Sequence, residues 1–177
     1  VEYYFKDDIK LTMYALGVCL YSAIKINSDI FGYLMNNLDF ERMIFKFKLT
    51  ENHLIQTLEV GCSVGNFQNI KILTPLILQK FPKADFTRPF LRASSNNYNE
   101  ICKYFIDKSV TLNLLFSDKE IKSLDEEIFF LLIKDADQEI KDSLFVNLFY
   151  QAMNSHKIKI VEFLLNQDIE YPDALFS

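Results

Sequence analysis

Three features of the sequence predict an all-α fold, a helical-repeat solenoid of four to five degenerate units. Apolar residues recur three and four apart along most of its length, the spacing of one helix face. Stretches that alternate apolar with polar residues, as half-buried strands do, are scarce. The chain also resembles itself: a segment in which small residues lead through a polar turn into an apolar run begins at Ser22, Gly61, Ala93 and Ala152.

Composition narrows the class. The 177 residues suit a single domain, 1–177, long enough to bury a sizeable core. Half are hydrophobic and 17 are Phe, which excludes a disordered chain. Nine acids and four lysines fall between Asp118 and Asp142, so that segment carries the whole net charge of −5 and the remainder balances. Without a basic stripe to neutralise phosphates, nucleic acid is not an expected ligand. The uncharged stretch near the start, Leu11 to Ile24, has 14 residues, too few for a membrane span. Glu2, Asp7 and Asp8 stand where a signal peptide would carry basic residues, so none is expected. Cys19, Cys62 and Cys102 are odd in number and far apart, with no CxxC and only two histidines beside them. No metal or cofactor is expected, and a reducing, cytoplasmic setting is.

The units follow in order. Near 12–40, Leu16, Cys19, Leu20, Ala23 and Ile24 share a helix face, and "SAIKINSDIFGYL" supplies a turn and a second helix. Near 50–80, Thr50-Glu51-Asn52 reads as a capped helix start, followed by "GCSVGNFQNIKIL". Near 86–110, Pro89 opens a helix and "ASSNNYNEICKYF" completes the pair, with Ile101, Tyr104 and Phe105 on one face. A weaker unit near 112–142 ends in "EEIFFLLI". The last, near 144–170, holds "AMNSHKIKIVEFL", with Ile160, Phe163 and Leu164 in step. The starts lie 39, 32 and 59 residues apart, the last interval divided by the weaker unit, and a period near about 33 made of two helices marks a stacked repeat. Pro75, Pro82, Pro89 and Pro172 are expected where helices start or stop. The aromatic runs "EYYF" and "FKFK" read as core or cap packing.

These residues resemble the ankyrin repeat. "RPFLRAS" keeps a helix-opening proline, Gly65-Asn66 a turn glycine, and "KIVEFLL" a second helix. The family's start histidine is missing throughout, its turn glycine from three of the four clear copies, and its long hairpin loops are mostly gone. The composition, rich in Asn, Lys, Ile and Phe, is similar to that of divergent ankyrin-like proteins of AT-rich genomes, such as pathogen effectors and large DNA viruses. Small residues at Ala23, Gly61, Ala93 and Ala152 would let first helices approach closely. The chain opens at Val1 rather than Met, and Pro172-Asp173-Ala174-Leu175 resembles the start of a further unit. A longer parent chain is therefore expected, or Leu175 and Phe176 folding back as a cap.

The resemblance implies a non-enzymatic module that binds a protein partner through the concave face formed by the first helices. Its variable positions fall on Tyr21, Val60, Arg92 and Gln151, then on Lys25, Asn96 and Asn154 one turn on. A scaffold segment of a larger protein is the alternative, and a hydrolase the more distant one. Gly61-Cys62-Ser63-Val64-Gly65 is formally G-x-S-x-G, which in an α/β-hydrolase exposes the serine on a strand-to-helix turn. Ser63 or Cys62 with His156 would be its nucleophile and base. No βαβ pattern surrounds the motif, and the repeat assigns Cys62 to the core and both Gly65 and His156 to turns. His53 reads as a cap. Asp125-Glu126-Glu127 with Asp135, Asp137 and Glu139 lacks Ca²⁺-loop spacing, so it reads as a solvated acidic face able to dock a basic partner.

Overall fold

Helix ends leave backbone donors and acceptors unpaired, and how this chain satisfies them organises its architecture. A computed structural model describes residues 13–26, 28–37, 48–113, 124–134 and 148–166. They form nine helices: α1 (Met13–Ile26), α2 (Ser28–Asn37), α3 (Glu51–Ser63), α4 (Phe67–Lys80), α5 (Thr87–Ser95), α6 (Asn99–Asp107), α7 (Glu126–Lys134), α8 (148–154) and α9 (Ile158–Leu165). The all-α class predicted from the sequence is what is observed. Among the described residues extended backbone pairs once, in an isolated parallel bridge between Asp85 and Thr111. None of their helices is long and apolar enough to cross a membrane.

The turns between paired helices share one design. In 64–66, 96–98 and 155–157 the middle residue has positive φ: Gly65 (72°), Asn97 (60°) and His156 (55°). The residue after it donates its N–H five residues back, Asn66 to the Gly61 carbonyl (3.0 Å), Tyr98 to Ala93 (3.0 Å) and Lys157 to Ala152 (2.9 Å). The middle residue itself donates three back, to Cys62, Ser94 and Met153. This Schellman closure satisfies the last carbonyls of α3, α5 and α8 with three residues of chain, so each next helix turns straight back. The turn therefore does not need glycine, because Asn tolerates the left-handed region and His156 is held there by the same bonds.

The pairs stack in two layers. α3 packs between α1 and α5, while α2, α4, α6, α7 and α9 follow one another in the second layer. Gly61 lets α3 approach α1, since a Cβ there would lie 2.9 Å from Ile24 Cδ1. Phe31, Phe86, Phe90, Phe105 and Phe129 are fully buried, each contributing on the order of 1.5–3 kcal/mol by leaving water. Rings also join neighbouring helices within the second layer: Phe67 meets Tyr104 edge-on at 5.6 Å, and Phe130 meets Phe163 at 5.1 Å.

Three expectations need correcting. Pro75 lies inside α4 rather than at a helix boundary, at an exposed position. Cys19 is exposed, because the buried stripe of α1 runs one residue later, through Leu20, Ala23 and Ile24. That stripe continues through Phe31 and Met35 and lies 38, not 39, residues before Leu58, Gly61, Cys62, Asn69 and Leu73. One residue rotates a helix by about 100°, enough to carry Cys19 out of the core. "EYYF", "FKFK", Asp135, Asp137, Glu139 and the Pro172–Phe176 stretch lie outside the described residues.

Candidate functional site

The first helices α1, α3, α5 and α8 carry the residues singled out from the sequence. Tyr21 and Lys25 are exposed on α1, Arg92 and Asn96 on α5 and its turn, and Asn154 at the end of α8; Val60 and Gln151 are half-buried. In the observed register Ser22 stands with Val60, Arg92 and Gln151, and Tyr21 stands with Glu59. Arg92 and Asn96 are adjacent: Asn96 Nδ2 donates to the Arg92 carbonyl at 2.7 Å. α3 separates them from Tyr21.

Arg92 is not a bare cation. Its Nε and Nη2 donate to Glu59 Oε1 at 3.3 and 3.0 Å, joining α5 to α3 across 33 residues. Both side chains keep access to water, so the pair adds at most about 1 kcal/mol to stability. The sequence signal for it was the spacing of one repeat between an acid and an arginine on first helices.

The catalytic constellation does not assemble. α3 is helical through Ser63, whose Oγ donates to the Val60 carbonyl one turn back at 2.8 Å, so no strand-to-helix turn presents it. Cys62 is fully buried, and burial first, then Cys102 and Glu59, push its thiol well above the usual range. Burial pushes Cys102 up to about 12, and its Sγ lies 3.8 Å from the Phe90 carbonyl. A nucleophile needs the thiolate, which these surroundings disfavour. His156 occupies the α8–α9 turn, and His53 is the capping residue of α3, accepting the Thr50 backbone N–H on Nδ1 at 3.1 Å.

The acidic segment is stitched into the stack where it is described. Glu127 pairs with Lys103 at 2.7 Å and Glu126 with Lys159 at 3.8 Å, from the helices on either side of α7. Asp125 accepts the Glu127 N–H on Oδ1 at 2.9 Å. The Lys157 amine donates to the Leu124 carbonyl; burial lowers its pKa, against the pull of Glu126 and Asp125. Among the described residues no group of three acidic, Cys or His side chains is arranged to hold a metal ion.

No protein family, curated protein or solved structure matches this chain.

Proposed function

We propose that this chain is an ankyrin-like helical-repeat solenoid, and that it binds a protein partner, without catalysis, through the surface of its first helices. The observation that carries the reading is the side-by-side packing of α1, α3 and α5, with near-identical turns closing α3 and α5 and with Tyr21, Lys25, Arg92 and Asn96 left at the surface. Two-layer stacking of short helix pairs is what a solenoid requires, and its extended first-helix surface is the natural binding face. The buried thiols and the helical Ser63 weigh against the hydrolase alternative. Three free cysteines, two of them buried, suit a cytoplasmic location.

Site-specific photo-crosslinking tests the face. A crosslinking side chain at Asn96 or Asn154 should give the same adduct in cell lysate, competed away by excess unmodified protein. The same group at Gln68 or Glu100, exposed on second helices, should give none. Adducts from the second helices alone would overturn the assignment.

A further inference from the structure

Four second helices, α4, α6, α7 and α9, are each preceded by a residue at one equivalent position, Asn66, Tyr98, Asp125 or Lys157, whose carbonyl accepts the N–H of Ile70, Cys102, Phe129 or Val161 four residues on. A shared backbone role invites a shared side chain, yet no two agree. At three junctions the side chain instead reaches back to the preceding unit, each time by a different chemistry. Asn66 Nδ2 donates to the Ile24 carbonyl at 3.0 Å, near the C-terminus of α1 where helical carbonyls lack internal partners. The Tyr98 ring lies over Gly65, so close that a Cβ there would be 2.6 Å from Cε1. The Lys157 amine donates to the Leu124 carbonyl.

A second position reinforces the first junction. Phe31, Ile101, Ile128 and Ile160 are buried, and the same column in the second pair holds Asn69, also fully buried. Its Nδ2 donates to the same Ile24 carbonyl at 3.3 Å. An apolar residue would fill this column as it does in every other unit, and a buried amide in an apolar stack is a poor source of stability. A single buried polar residue is, however, an effective way to fix register among otherwise interchangeable apolar faces.

We propose that these residues are junction keys: they fix which helix pair stacks on which, and so protect a chain of similar units from mis-ordered stacking within one copy or between two. The apolar columns alone are near-equivalent, so a pair could dock on a non-matching unit, in its own chain or in a second copy, at little cost. Among the described residues, the α3–α4 pair alone brings two amides to the Ile24 carbonyl, Tyr98 packs on a glycine turn that leaves room for its ring, and the α8–α9 pair alone brings an amine to Leu124.

The test removes the keys while keeping the fold. Asn66→Ser/Asn69→Ile retains a cap acceptor at 66 and restores the shared apolar column at 69. The variant should show the wild-type circular dichroism and melt no lower, yet after refolding from urea at high concentration it should give about fivefold more dimer joined through non-matching units. Lys157→Met, at the other end, should shift the same ratio in the same direction. A monomer fraction equal to the wild type's in both variants overturns the proposal. So does a variant that melts lower without forming dimers, since the amides would then be ordinary stabilising contacts.

Discussion

At the scale of single residues the three turns form a natural experiment, because one left-handed backbone is served by Gly65, Asn97 and His156. Left-handed φ costs a side-chain-bearing residue about 1–2 kcal/mol, and glycine escapes it. Gly65→Ala adds the intrusion on Tyr98, so it should cost about 2 kcal/mol or more in urea unfolding. His156→Gly should stabilise by about 0.5–1 kcal/mol, the relieved strain exceeding the added freedom of the unfolded chain. Equal effects at the two sites would mean that the turns are not equivalent. The thiols give a second contrast. Exposed Cys19 should react with a thiol reagent at once, and Cys62 and Cys102 only on unfolding. A thiol whose folded pKa is raised protects stability below its unfolded value and loses that contribution as pH rises through the folded one. Stability should therefore fall between about pH 9 and about 12, and Cys102→Ala should flatten the slope.

At the scale of elements, the helical class was legible because apolar spacing survives divergence, whereas the details depend on single-residue phase. The Thr50 start was readable, since Thr at a helix start followed by an acceptor at the third position makes a reciprocal cap, here with His53 in place of the usual acid. The sequence offered a turn glycine at Gly65 alone, yet the Schellman bonds depend on backbone alone and form equally at Asn97 and His156. The phase of α1 was not readable: 38 and 39 residues differ by one rotation of the stripe, and only burial decides between Cys19 and Leu20. For the candidate surface, exposure at Tyr21, Arg92, Asn96 and Asn154 could be anticipated, but the Glu59 partner of Arg92 needed the lateral spacing of α3 and α5. Pro75 was misread for a related reason. Proline is penalised inside a helix, about 3 kcal/mol against alanine, but an exposed ring is tolerated when the rest of the helix is anchored, as Ile70, Leu73 and Ile77 anchor α4. Pro75→Ala should consequently raise stability by about 1 kcal/mol or more, measured by chemical denaturation. No change would place a true break at 75.

At the scale of the whole molecule, burial is unevenly spread along the stack. α3 to α6 contribute Leu54, Ile55, Leu58, Cys62, Ile70, Leu73, Ile77, Phe90, Ala93, Ile101, Cys102 and Phe105 to the core, while α8 and α9 contribute Leu148, Ala152, Ile160 and Leu164. Met153 shows the difference at one position: it is 52% exposed, whereas its equivalents Cys62 and Ser94, each covered by a neighbouring pair, are buried. In a stack held by nearest-neighbour contacts, stability is a sum over units and their interfaces, so the least buried unit opens first. Native-state hydrogen exchange should then show α3, α4, α5 and α6 as the most protected helices, with α8 and α9 exchanging through a separate, lower-energy opening. Raising the salt concentration should widen the gap by screening the Glu126–Lys159 pair, the longer of the two that bracket α7. Substitution follows the same gradient: Met153→Glu should leave the melting temperature within error, and Cys62→Glu, which buries a carboxylate without a partner, should unfold the chain. Uniform protection along all described helices, or equal cost at the two positions, would contradict a unit-by-unit stack and favour one cooperative core.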